Sequence, residues 1–398
     1  MKGSDIEARP EPTLTKKSIL IFATTCGFTV ASAYYLQPLF PVVGKDLHAA
    51  ATQVSWVSTV LQLGYAMGLF LIVPLGDYFD RRKLIPALMV LLAIGLFGVS
   101  IAPNLSTLLF FGALVGLTAV VAQVIIGLVA TVANPGQRGA AIGNAMTGLL
   151  LGLLLARTVS GLVAQYFNWR YVFVGAGIAV LALAVVVAKQ VPEISRTYRG
   201  SYPQLLRSLG QTFAQERTVR RAALIGALNF ACFSIFWNTS SLHLSSPPFS
   251  LDSATIGLFG LVGVAGAIAA RLAGRLADSG RQVITSTIMN ALVGLAFVIF
   301  LVFPQSLLAT VVGVVVLDFG VQGSHISNQS VIYSVRLDAR SRITSIYMTS
   351  YFVGGALGSF SSTLEYRWGG YPLVVGGGLA IAIFAILFRI LSREKSPV

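Results

Sequence analysis

Twelve apolar runs of 18 to 28 residues recur along this chain, roughly one for every 33 residues, with only short polar stretches between them. They cover approximately 18–43, 53–75, 84–102, 106–133, 139–165, 171–188, 221–242, 254–273, 283–303, 307–334, 343–363 and 371–390. A helix of ~20–25 apolar residues crosses the hydrocarbon core of a bilayer, and lipid offers an open backbone no hydrogen-bond partner, so each run is expected to be a transmembrane helix. Charge is correspondingly scarce. Only 11% of the residues are charged, against about 25% in soluble domains, too few to cover two or three soluble cores. The expected fold is an all-α polytopic membrane protein of twelve helices.

Proline and asparagine punctuate the pattern. Pro103-Asn104, Asn134-Pro135-Gly136 and Pro304 separate neighbouring runs, as residues that cannot continue a helix should. The net charge of +14 invites a nucleic-acid reading, but that requires a basic patch on a solvated domain. Here 24 of the 28 Lys and Arg residues fall in alternate loops and the two tails, on one side of the expected membrane. By the positive-inside rule, both termini are expected in the cytoplasm, and no nucleic-acid partner is needed to explain the charge. Lys45, Arg157, Arg170 and Arg367 are the exceptions. Cys26 and Cys232 each lie inside an apolar run, which suggests neither a disulfide framework nor a metal site.

The stretch 189–220 is polar and contains Pro192, Gly200 and Pro203. It reads as a cytoplasmic loop joining two halves, 18–188 and 221–390, with tails at 1–17 and 391–398. The halves repeat. Asp77 and Asp278 follow the second and eighth runs 201 residues apart; Met146-Thr147 and Met348-Thr349 are 202 apart; Trp169 and Trp368 are 199 apart. A duplicated set of six spans on each side of a linker is a common transporter architecture.

These features, with Val73-Pro74-Leu75-Gly76-Asp77-Tyr78-Phe79-Asp80-Arg81-Arg82 after the second span, resemble the major facilitator superfamily, whose loop signature is roughly Gly-x-Leu-Ala-Asp-x-x-Gly-Arg-Arg. The aspartate and both arginines match, while Val73 and Asp80 stand in place of the glycines. The resemblance covers essentially the whole chain and is greatest to the twelve-span drug:proton antiporter branch. It implies two pseudo-symmetric six-helix bundles, in a monomer embedded in a bacterial inner membrane. It also implies a conformational gating role for Asp77, Arg81 and Arg82, with Asp278 and Arg281 as a fainter second-half copy. Two branch features are missing. Gly112 occupies the position of a buried arginine in the fourth span, and Ala156-Arg157-Thr158-Val159-Ser160-Gly161 keeps only the last glycine of Gly-Pro-x-x-Gly-Gly.

Charges stranded within spans are few. Asp318 sits near the middle of the tenth run, followed at i+4, i+7 and i+11 by Gln322, His325 and Gln329, which share one helix face. An ionisable group at that depth should face the bundle interior and often marks a proton path; a structural interhelical pair is the alternative, and for His325 a satisfied hydrogen bond. Arg157 in the fifth run either faces a central cavity, attracting an anion or Asp318, or snorkels to the headgroups. Tyr34, Tyr35, Gln37, Gln123, Asn229 and Trp237 are candidate cavity-lining groups for an amphipathic solute, with interfacial aromatic belts and interhelical packing as the competing readings. Gly64/Gly68, Gly148/Gly152 and Gly354/Gly358 suit close helix approach.

No phosphate-binding loop, metal-ligand cluster or nucleophile elbow occurs, so neither an enzyme nor a bound cofactor is expected. Energy must then come from a gradient. The expected function is secondary active transport of a small organic solute by alternating access, with protons as the coupling ion and efflux as the direction. A uniporter or symporter for a sugar, nucleoside or organic anion is the alternative, and a membrane enzyme or a sensor the remote one.

Overall fold

The computed structural model describes residues 15–134, 137–192, 200–263, 272, 282–335 and 340–392. Within them every regular element is helical. The first expected span is α1 (Lys16–Ala31), a 3-10 turn (Gln37–Leu39) and α2 (Phe40–Asp46). Pro38 and Pro41 cause the break, since neither has an N–H to give to the helix ladder. The second is a single turn, α3 (Ala51–Val54), then α4 (Trp56–Leu71) and the turn α5 (Leu75–Tyr78). α6 (Arg81–Ser100) follows, then α7 (Leu105–Thr118) and α8 (Val121–Val132), which split the fourth span, then α9 (Arg138–Tyr166) and α10 (Arg170–Gln190).

Beyond the linker come α12 (Arg217–Leu244), α13 (Ser253–Val262), α14 (Gln282–Val302), α15 (Leu307–Val335) and α16 (Arg340–Leu391). At ~1.5 Å per residue, the 52 residues of α16 are about twice as long as a bilayer is thick. Gly370, with φ 64°, breaks its helical path, a conformation glycine adopts without steric cost. The eleventh and twelfth runs therefore meet there. Nine helices among the described residues are long and apolar enough to cross a membrane, α16 counted as one. Much of the eighth run lies outside the described residues.

Side-chain caps begin several helices. Thr15, Asp80, Asn104 and Asp252 each accept a hydrogen bond from a backbone N–H of the first turn, satisfying donors that a helix start leaves open. The linker, expected as a loop, contains a further helix, α11 (Tyr202–Gln215). Its buried residues Leu205, Leu209 and Thr212 are spaced four and three apart, the pattern of a one-sided amphipathic helix. α11 packs on α12 and α16, while the Tyr202 hydroxyl donates to the Leu71 carbonyl at the end of α4. We call this the linker end of the bundle, and the end carrying Asp46 the far end.

The internal repeat has a packing counterpart. Gly148 and Gly152 of α9 press against the backbone of Ala23 and Gly27 in α1, and Gly354 and Gly358 of α16 press against Ala227 and Ala231 in α12. Span one thus packs on span five just as span seven packs on span eleven, through small residues that let backbones touch. A Cβ on Gly152 would collide with the Gly27 carbonyl. Gly152→Val is therefore expected to lower stability by about 1–3 kcal/mol, read as an earlier thermal-unfolding transition of the purified protein.

The halves meet along two seams. α4 lies against α16 from Ser55–Thr363 (2.9 Å) near the far end, through the stacked Tyr65 and Phe352 rings (4.1 Å), to Ser345–Leu69 (2.9 Å) near the linker end. α9 meets α13 through Gly161 against Ser253, Thr158 donating to the Gly257 carbonyl (3.0 Å), and Leu154 beside Gly263. Nearer the linker end, Gly143, Asn144, Thr147 and Leu151 of α9 are exposed. The far half of this seam is closed.

Candidate functional site

Arg157 lies at the seam between the halves, with 3% of its surface exposed. The broken first span places its partners. Gln37, in the 3-10 turn that the prolines impose, accepts from Arg157 Nε at 2.7 Å, and the Tyr34 ring lies 5.1 Å from the guanidinium. From the other half, α12 brings Trp237, whose ring centroid is 3.8 Å from the guanidinium carbon, and Phe233 at 5.6 Å. An aromatic face attracts a cation most strongly where water is excluded. Arg157 therefore turns inward and does not snorkel. Its Nη2 is buried and has no hydrogen-bond partner.

Trp237 connects this cation to the buried acid. Its indole N–H donates to Asp318 Oδ1 at 3.3 Å, so one indole carries the guanidinium on its face and the carboxylate at its edge. Asp318 is 4% exposed, and its Oδ2 lies 3.2 Å from where a side chain on Gly263 would begin. A Cβ there would crowd the carboxylate, which would have to give by a few tenths of an ångström. Arg157 and Asp318 do not form an ion pair; the pairs among the described residues are Arg81–Asp77 and Arg170–Asp46. The fold brings together Arg157, Gln37, Tyr34, Trp237 and Asp318 from four separate segments of chain, with the cation in one half and the acid in the other.

The remaining candidates are more dispersed. His325 Nδ1 is 3.1 Å from the Tyr347 hydroxyl, and its ring lies 4.7 Å from that of Tyr351, about two turns from Asp318 towards the linker end. Gln322 and Gln329 are half-buried on the same helix. Asn229 donates to Asn290 (2.6 Å) and Ser324 (3.0 Å) inside the second half, a junction of α12, α14 and α15. Tyr35 packs edge-on against Phe173 of α10 at 6.1 Å, and Gln123 lies against the Tyr65 hydroxyl; neither touches Arg157. Among the expected gating residues, Arg81 pairs with Asp77 at 2.7 Å, donates to the Gly76 carbonyl and reaches Thr131 at the end of α8. All of these contacts lie in one half. Arg82 is exposed, and Asp278 and Arg281 lie outside the described residues.

Two features were not anticipated from the sequence. Phe233 stands one helical turn before Trp237 and so shares its face; that spacing could have flagged it. At the far end, Asp46 accepts from Arg170 Nη2 (2.9 Å) and from the Trp169 indole (3.2 Å), and Arg170 Nη1 donates to the carbonyls of Ser100 and Ala102. This junction ties α2, α6 and α10. Trp368, its expected counterpart in the repeat, is instead 75% exposed. Arg170→Met should cost about 1–2 kcal/mol, moderated by partial exposure, and thermal unfolding should detect it. His243 is half-buried, stacked on Tyr371 at 3.5 Å with Nε2 3.0 Å from the Pro304 carbonyl.

Comparison with known proteins agrees with this architecture. A putative uncharacterized transporter of Escherichia coli K12, YgaY, is 41% identical over 379 residues, covering 95% of this chain and 96% of its own. Among solved structures, the nucleoside transporter NupG superposes with TM-score 0.70 at 15% identity, covering 94% of this chain and 98% of its own. A bacterial homologue of the human lysosomal transporter Spinster, inward-facing and occupied, superposes with TM-score 0.68 at 14% identity and 94% coverage of each. At such low identities these two likenesses speak for the fold alone. The Major Facilitator Superfamily model matches residues 20–359; the chain belongs to that superfamily and is a multi-pass membrane transporter, not an enzyme.

Proposed function

We propose that this transporter moves a small organic solute by alternating access, driven by proton binding and release at Asp318. The observation that carries this reading is the Arg157–Trp237–Asp318 constellation at the seam. Two opposite charges, one from each bundle, face a single indole and yet do not pair. A buried carboxylate that can take up a proton changes the charge at the place where the bundles must part, so protonation and rocking are linked. Proton-coupled exchange, with the solute exported, is the direction favoured by the resemblance to drug:proton antiporters. The orphaned Nη2 of Arg157 favours a second reading, co-transport of an organic anion. On both readings the linker end is cytoplasmic, because the basic loops lie there, and the protein works as a monomer in the bacterial inner membrane.

The test is flux. Purified protein in liposomes should concentrate at least one member of a radiolabelled panel of small organic solutes only while a pH gradient is imposed. Equal accumulation without the gradient would contradict proton coupling.

A further inference from the structure

Resting on proton coupling at Asp318, and taking co-transport in place of exchange, we propose that the substrate is a small organic anion, a carboxylate on an apolar body, which binds Arg157 and travels in the same direction as the proton. Arg157 is a buried cation with its Nε committed to Gln37 and one face committed to Trp237, yet its Nη2 has no partner. A buried N–H of a charged group left unsatisfied is costly, and a guanidinium edge is shaped to grip a carboxylate. Aromatic side chains from both halves surround it. Tyr34, Phe233 and Trp237 flank the guanidinium, and Phe230 stacks between Phe233 (5.4 Å) and Tyr351 (4.1 Å). Such walls suit an apolar body.

Charge balance then sets the direction of the proton. With Asp318 ionised, Arg157 and Asp318 sum to zero across the indole, and an added anion would leave a net negative charge in a site sheltered from water. With Asp318 protonated, the same anion neutralises Arg157. Anion and proton therefore bind together. A cationic solute would do the reverse, competing with the proton for Asp318 and leaving Nη2 unsatisfied. The other titratable groups facing Asp318 do not alter this balance. Tyr351 of α16 is the phenol that senses the carboxylate; Tyr34, in the bend after α1, lies across the guanidinium, and Tyr347 lies against His325, two turns along α15. Of the elements packed on α15, α13 and α14 contain no titratable side chain, and on α12 those nearest Trp237 are the thiol of Cys232, five residues before it, and His243, six residues after it and stacked on Tyr371.

The experiment measures thermal stabilisation of the full-length detergent-purified protein by phenylacetate, phenylacetamide and 2-phenylethylamine, at about pH 5.5 and about pH 8. Phenylacetate is expected to stabilise, with affinity about tenfold higher at the acid pH, and the amide and amine to have no effect. Arg157→Gln should abolish the phenylacetate effect, and Asp318→Asn should retain it but lose its pH dependence. Stabilisation by the amine, equal stabilisation of Arg157→Gln by phenylacetate, or no effect of phenylacetate at either pH overturns the proposal. The outcomes also separate it from proton coupling itself. If the amine binds with a pH dependence that Asp318→Asn removes, the carboxylate is still the proton site and only the substrate charge is wrong. If phenylacetate binding keeps its pH dependence in Asp318→Asn, the proton site is elsewhere.

Discussion

Asparagine in place of Asp318 is expected to reduce gradient-driven accumulation about tenfold to a hundredfold while leaving the protein folded. The amide is nearly isosteric with the carboxyl, and its oxygen can still accept from the Trp237 indole, so the packing around Gly263 is kept. What disappears is the ability to hold and release a proton. Removing a charge from the interior should leave thermal stability unchanged or slightly raised. Flux in liposomes with and without a pH gradient, paired with an unfolding curve for the same preparation, reads both quantities. An Asn variant that still responds to the gradient would place the proton site elsewhere.

Methionine in place of Arg157 is expected to abolish transport while changing stability by no more than about 2 kcal/mol. The terms nearly cancel. The guanidinium gains about 2 kcal/mol from a desolvated contact with an indole face, and its charged hydrogen bond to Gln37 contributes about 1.5–3 kcal/mol. Against these stand the desolvation of a buried cation and an unsatisfied Nη2. Methionine keeps the length of the side chain and fills the same space without charge. Arg157→Lys separates charge from shape. The ammonium keeps the charge but neither the planar face on Trp237 nor the N–H edge, and transport should fall about tenfold. If Arg157→Met unfolds the protein, the arginine is a structural strut; if it transports normally, the site does not bind through Arg157.

The two halves of this site differ in how far the sequence shows them. Asp318 and Arg157 stand out because an ionisable residue within an apolar run is rare and must be accommodated. Trp237 stands out as a candidate cavity side chain, but not as the indole that the two charges share, because its helix also carries Phe230, Phe233 and Phe236. That Gln37 reaches Arg157 depends on the prolines breaking the first span and on Gly148 and Gly152 drawing α9 onto α1. The sequence contains both signals, but not their meeting across 120 residues. Tyr34 and Tyr35 show the same limit. Adjacent in sequence, they point to different neighbours, Arg157 and Phe173, and composition cannot tell which faces the seam. The linker helix α11 was hidden by the charge and proline around it, although Ser201 and Gln204 form a capping signature and the spacing of Leu205 and Leu209 fits a helix.

On this mechanism the proton on Asp318 sets which way the bundles face. That dependence can be tested without knowing the substrate. Gly143 in α9 has open space beside it, and Ser330 lies in α15 of the other half, so cysteines there can carry spin labels, while native Cys26 and Cys232 are buried. Distances between the labels should be measured by pulsed EPR in lipid nanodiscs at about pH 5.5 and about pH 8. The distance distribution should shift with pH in the otherwise wild-type protein and be the same at both values in Asp318→Asn. A shift that persists in Asp318→Asn, or no shift in the wild-type background, contradicts this mechanism.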